Sequence, residues 1–193
     1  MHAWHAAGQS IALATIASTM MMAAMMAPTV APWIGAYHRF STATYASRPS
    51  GAAVFAGGYL AVWAGFGLVL VLVQRAIDLP PGSGRLLLLG AGLYQLSPLK
   101  RACLRHCRNP LSFLLARWRD GPVSAFHLGF RHGAYCLGCC WALMATASAM
   151  GLMSLWWMAA LTIVTFAEQV LPWGARLRAP VGIALLVAAA WPR

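Results

Sequence analysis

The chain has 193 residues, 61% hydrophobic and 9% charged, with three acidic residues against fourteen lysines and arginines. A soluble domain of this size carries roughly 25% charged residues, so the composition excludes an ordinary soluble domain and points to an integral membrane protein. The net charge of +11 does not indicate a nucleic-acid partner, because the basic residues lie between apolar runs and not along a soluble face.

A helical membrane crossing needs about 17–25 mainly apolar residues. The opening MHAWHAAGQS has no basic run and does not read as a cleavable signal; His2 and His5 within it are either a weak metal-collecting tail or nothing. The first span is predicted near residues 10–26 and closes on Met22, Met25 and Met26, just before Pro28. A second is predicted near 51–73. The third, near 86–102, has few uncharged residues and reaches across only if Arg85 and Lys100 snorkel.

A basic loop follows over 103–132, in which Leu111–Arg119 has the apolar and basic mixture of a surface-lying helix. The uncharged run Gly133–Ala167 is too long for one crossing at about 1.5 Å per residue. It is predicted to form spans near 133–150 and 155–171, turning at Gly151–Ser154. A final span falls near 179–192. The expected architecture is a single all-α domain, a polytopic transmembrane bundle of about six spans. Trp4, Trp33, Trp156, Trp157 and Trp173 are expected mainly as interface anchors. Eleven of the fourteen basic residues fall on one side of this arrangement, including Lys100, Arg101, Arg105, Arg108, Arg117, Arg119 and Arg131. The positive-inside rule makes that side cytoplasmic and leaves both termini outside.

The chemistry-bearing residues are sulfur ligands. On helices, Cys103 and Cys107 are i, i+4 neighbours, and His132, Cys136, Cys140 and Met144 form a second such ridge with Cys139 beside it. Met22, Met25 and Met26 share a third face. The first group closes span 3, the second opens span 4 and the methionines close span 1, so parity puts all three at one membrane side. Glu168, near the end of span 5, joins them and is expected to face the bundle interior with a polar or basic partner. Cys136 is expected at the span mouth, near water, with Cys140 and Met144 leading inward. Thiolate and thioether sulfur favour Cu(I), with zinc the usual competitor. Thiol–disulfide chemistry and plain packing of small apolar side chains remain open alternatives for the cysteines. His106 and His132 read equally well as ligands or as interfacial residues.

Three stretches carry a family resemblance: MMAAMMAPTVAP at 21–32, YQLSPLKRACLRHCRNPL at 94–111 and GFRHGAYCLGCCWALM at 129–144. At these residues the chain resembles the bacterial predicted metal-binding integral membrane proteins. The resemblance implies a helical bundle in the bacterial inner membrane and a bound metal, commonly copper. Carried over residue by residue, it implies Cys103, Cys107, Cys136, Cys139 and Cys140 as ligands, supported by Met22, Met25 and Met26. Relatives tend to carry a basic residue after the span 5 acid, where this chain has Gln169. The expected function is Cu(I) handling, as delivery or transport, with membrane lipid and a membrane cuproenzyme or copper-handling protein as partners. The alternatives are a membrane thiol–disulfide oxidoreductase and a structural or assembly subunit of a membrane complex.

Overall fold

The computed structural model describes residues 10–44, 50–77, 83–149 and 155–191. His2, His5, Trp4 and the turn at Gly151–Ser154 lie outside the described residues. Among those described, the chain is all-α: α1 (Ile11–Thr44), α2 (Ser50–Ala76), α3 (Ser83–Leu96), α4 (Pro98–Cys107), α5 (Pro110–Arg117), α6 (Pro122–Ala149), α7 (Leu155–Val170) and α8 (Gly174–Ala190).

Helix α1 runs for 34 residues with Pro28 and Pro32 inside it, where the sequence reading stops near residue 26. Each proline removes a backbone donor, yet the helix continues. Packing on its far half accounts for this. Trp33 stacks on His132 with ring centroids 3.8 Å apart, and Tyr37 stacks on Phe55 at 5.1 Å. Phe40 meets Trp118 edge-on. Trp33 is therefore a buried core residue at 4% exposure and not an interface anchor.

The third expected span is broken in two. Ser97 accepts a hydrogen bond from the Lys100 backbone N–H, and Pro98 starts α4. A serine N-cap followed by proline is a strong helix start, so the chain turns at Ser97 before reaching the cysteines. The predicted loop 103–132 is also largely helical. Within it, α5 buries Phe113 and Leu114 while leaving Leu115 exposed, so it packs on the bundle through one face. Helix α6 begins at Pro122, ahead of the uncharged run at Gly133, because Arg131 sits on its exposed face and does not interrupt it.

Small residues seat α6 against α2. A Cβ on Gly129 would overlap the Phe55 carbonyl, and one on Gly58 would overlap that of Phe126. Gly129 and Gly133 have the four-residue spacing that lets two helix backbones approach closely. Replacing Gly129 by alanine is expected to lower stability by about 2–3 kcal/mol, read as the unfolding midpoint of the detergent-solubilised protein. An unchanged midpoint would show that this contact is looser than the backbone geometry requires.

Helices α1, over Ile11–Ser41, and α2, over Gly51–Ala76, are long and apolar enough to cross a membrane; α7 is apolar but shorter. Helix α6 has the length, 28 residues, but His127, Arg131 and His132 dilute its apolar content. Arginines close several helix ends. Arg85 donates to the carbonyl of Ala189 in the last turn of α8 and to that of Trp191 just after it, Arg108 to those of Glu168 and Pro172, and Arg178 to that of Leu96. A cation at a helix C-terminus satisfies orphan carbonyls and opposes the dipole.

A buried sulfur centre

Helix α4 carries Lys100, Cys103, Leu104 and Cys107 at i, i+3, i+4 and i+7, which places them on one face. That face turns inward. Lys100, Leu104 and Cys107 are buried and Cys103 is half-buried, while Arg101, Arg105 and His106 are exposed. On α6 the ridge His132, Cys136, Cys140 and Met144, together with Cys139, is buried throughout.

The two faces meet. The Cys139 thiol lies 3.4 Å from the Cys107 sulfur, across the α4–α6 contact. Cys103 Sγ would lie 2.7 Å from a Cβ on Gly138, so the missing side chain at Gly138 makes room for that sulfur against α6. Tyr94 from α3 donates to the Gly138 carbonyl at the same place. Along α6, Cys140 donates to the Cys136 carbonyl at 3.2 Å, and Cys136 lies 3.4 Å from the Tyr59 hydroxyl and 3.7 Å from Gln169 Oε1. All five cysteines are free thiols. A sulfur–sulfur gap of 3.4 Å is far beyond a disulfide bond of about 2.05 Å. It is close to the roughly 3.8 Å that two sulfurs adopt around one tetrahedral metal with bonds of about 2.3 Å.

Met22, Met25, Met26, Cys107, Cys136, Cys139, Cys140 and Met144 all belong to one buried core. The three groups that parity assigned to one level thus converge in the fold. The placement of Cys136 differs from expectation. It lies in the middle of α6 with 0% exposure, because the helix begins well before it, so no thiol of this ridge stands at a water-facing mouth. Cys103 is the most accessible of the five.

His132 and His106 are held by aromatic rings. His132 is enclosed by aromatic rings, stacked on Trp33 and flanked by Phe55 and Tyr59, with its Nδ1 buried and unpartnered. His106 is exposed, stacks on Tyr135 at 4.3 Å and pairs its Nδ1 with the Ala102 carbonyl. Among the described residues, no three His, Cys, Asp or Glu side chains are gathered tightly enough to hold a metal together. Cys107 and Cys139 form a close pair of thiols.

One neighbour of the centre is not foreseen from sequence. Lys100, expected to snorkel, is fully buried and donates to Glu168 at 2.6 Å and to Gln95 at 2.5 Å. Gln95 in turn donates its amide N–H to the other Glu168 oxygen. The expected inward-facing acid is therefore found, with its basic partner on α4 and not at position 169. The signal available in sequence was Lys100's position on the same helical face as Cys103 and Cys107.

Fold and centre together define, over the described residues, an all-α protein with cysteine and methionine side chains gathered in its core. Residues 16–192 match the family model described as "PpoB2: Copper chaperone", and the chain belongs to that family. No curated protein and no solved structure matches the chain.

Proposed function

We propose that the protein is a multi-pass chaperone of the bacterial inner membrane that holds Cu(I) on paired cysteines and hands it to a membrane cuproenzyme or another copper-handling protein. The carrying observation is the 3.4 Å approach of Cys107 and Cys139 from different helices, within a core that also holds Cys136, Cys140 and the methionines. Two thiolates satisfy Cu(I), an ion that accepts few ligands and prefers soft sulfur to oxygen donors. A two-sulfur site leaves the ion open to attack by an incoming ligand, which suits delivery better than permanent storage. Met22, Met25, Met26 and Met144 supply neutral soft ligands close by, while His132, boxed by rings, serves as packing.

The membrane reading is supported by how polarity is distributed. Glu168, Lys100, Gln95, His132 and Gln169 are buried, while Ile16, Met20, Leu86, Leu93, Leu155, Trp156 and Ile163 are all at least 60% exposed. Large apolar side chains facing outward around a polar interior suit lipid as the solvent. Six spans then correspond to α1, α2, α3, α6, α7 and α8, with the basic segment around α4 and α5 on the cytoplasmic side.

The test is to purify the protein anaerobically from the membrane fraction and measure its metal. The expected result is about one to two Cu(I) per chain, removable by a Cu(I) chelator to leave free thiols. Zinc in place of copper would change the cargo. A metal-free protein that titrates as a stable intramolecular disulfide of defined potential would replace this reading with thiol oxidoreductase chemistry.

A further inference from the structure

A crevice between α1, α6 and α7 is lined by Met21, Met22, Met25, Met144 and Met158, and it has no room for a water-sized sphere. Five of the chain's ten methionines thus meet at one place, drawn from three helices. Met158 comes from α7 and has no counterpart in the cysteine groups. Met144 follows Cys140 by one helical turn on α6, so the crevice adjoins the thiol ridge at a distance of about 6 Å along the helix.

We propose that these five methionines form a second, all-thioether site for Cu(I), next to the thiol pairs and feeding them. This rests on the copper-handling reading above. The chemistry of the lining selects the ion. Thioethers bind soft Cu(I) and are poor ligands for hard or strongly hydrated cations. Among the described residues, no carboxylate lines the crevice and Ser148 is the one hydroxyl there. A hydrated cation does not fit, whereas a bare Cu(I) can draw flexible methionine side chains around itself.

Charge then gives the site its direction. Thioethers are neutral and carry no proton, so an ion held there keeps its full positive charge in an apolar setting, which makes binding weak. Two thiols must lose protons to bind the same ion, and the product carries one negative charge. The ion is therefore favoured to move from methionine to thiolate, releasing protons from the thiols as it arrives. No electron is transferred in this step.

The test uses the full-length protein in detergent, labelled with 13C in the methionine methyl groups, and Ag(I) as a redox-inert stand-in for Cu(I). Near neutral pH the thiols fill first, and the methyl signals of Met21, Met22, Met25, Met144 and Met158 shift together on further addition. The Met21→Leu, Met158→Leu double variant, which nearly conserves volume, is expected to lose about one equivalent of Ag(I) and keep the thiol-bound share. Methyl signals that stay fixed after the thiols are saturated, or a double variant with full stoichiometry, would overturn the thioether site while leaving the thiol reading in place. A native chain that takes up no Ag(I) would remove both.

Discussion

Replacing Lys100 by methionine, with Glu168 left in place, is expected to destabilise the protein by about 3–5 kcal/mol, the usual consequence of leaving one half of a buried ion pair uncompensated. The pair is buried on both sides, with side-chain exposures of 0% and 2%, so water cannot take over the role of the lysine. Gln95 would still donate to one carboxylate oxygen, which offsets only part of the loss. The double variant Lys100→Met, Glu168→Gln is expected to recover most of the stability, because it removes the stranded charge and keeps an amide that Gln95 can pair with. Unfolding midpoints of the two variants in detergent make the comparison. A single variant as stable as the native chain would mean that the carboxylate reaches water.

The triad also has a structural consequence for the sulfur centre. Gln95, Lys100 and Glu168 belong to α3, α4 and α7 in turn, and Arg108 adds a second anchor from the end of α4 to the end of α7. Between these anchors the rotation of α4 about its axis is set. Cys107 consequently faces Cys139, and Trp33 caps the arrangement by donating to the Cys107 carbonyl at 3.0 Å. The Lys100→Met variant should therefore also bind copper less tightly than the double variant.

The second large effect concerns the ligands themselves. The Cys107→Ser, Cys139→Ser double variant is expected to lower Cu(I) affinity more than about 100-fold, beyond what the loss of an outer-shell partner produces. Serine oxygen is a hard donor and does not replace thiolate for this ion. Both positions are buried and serine is slightly smaller, so the fold should persist. Cys103→Ser alone is expected to have a smaller effect on affinity, since Cys103 lies against Gly138 and is only half-buried. Competition against a chromogenic Cu(I) chelator measures both variants. Native affinity in the Cys107, Cys139 double variant would remove this pair from the site and leave Cys136 and Cys140 as the candidates.

Sequence alone determined the helical class of the fold and which sulfur-bearing residues share a helix face. The scarcity of charge and the apolar runs specified helices, and i, i+4 spacing placed Cys103 with Cys107 and Cys136 with Cys140. Counting spans led to the expectation that the methionine and cysteine groups lie at one level, and the groups do share one buried core. Tertiary structure decided what local patterns do not encode. Helix α1 passes two prolines because Trp33 and Tyr37 find aromatic partners on distant helices, and α6 starts at Pro122 because its one arginine can point outward. A lysine near a helix end reads the same whether it snorkels or is buried with an acid 68 positions away; only the approach of α7 to α4 made Lys100 a core residue. The pairing of Cys107 with Cys139, and the arrival of Met158 beside the α1 methionines, depend likewise on helix rotation. That rotation is set by long-range contacts such as the Gly129–Phe55 approach and the buried ion pair, which no local spacing reveals.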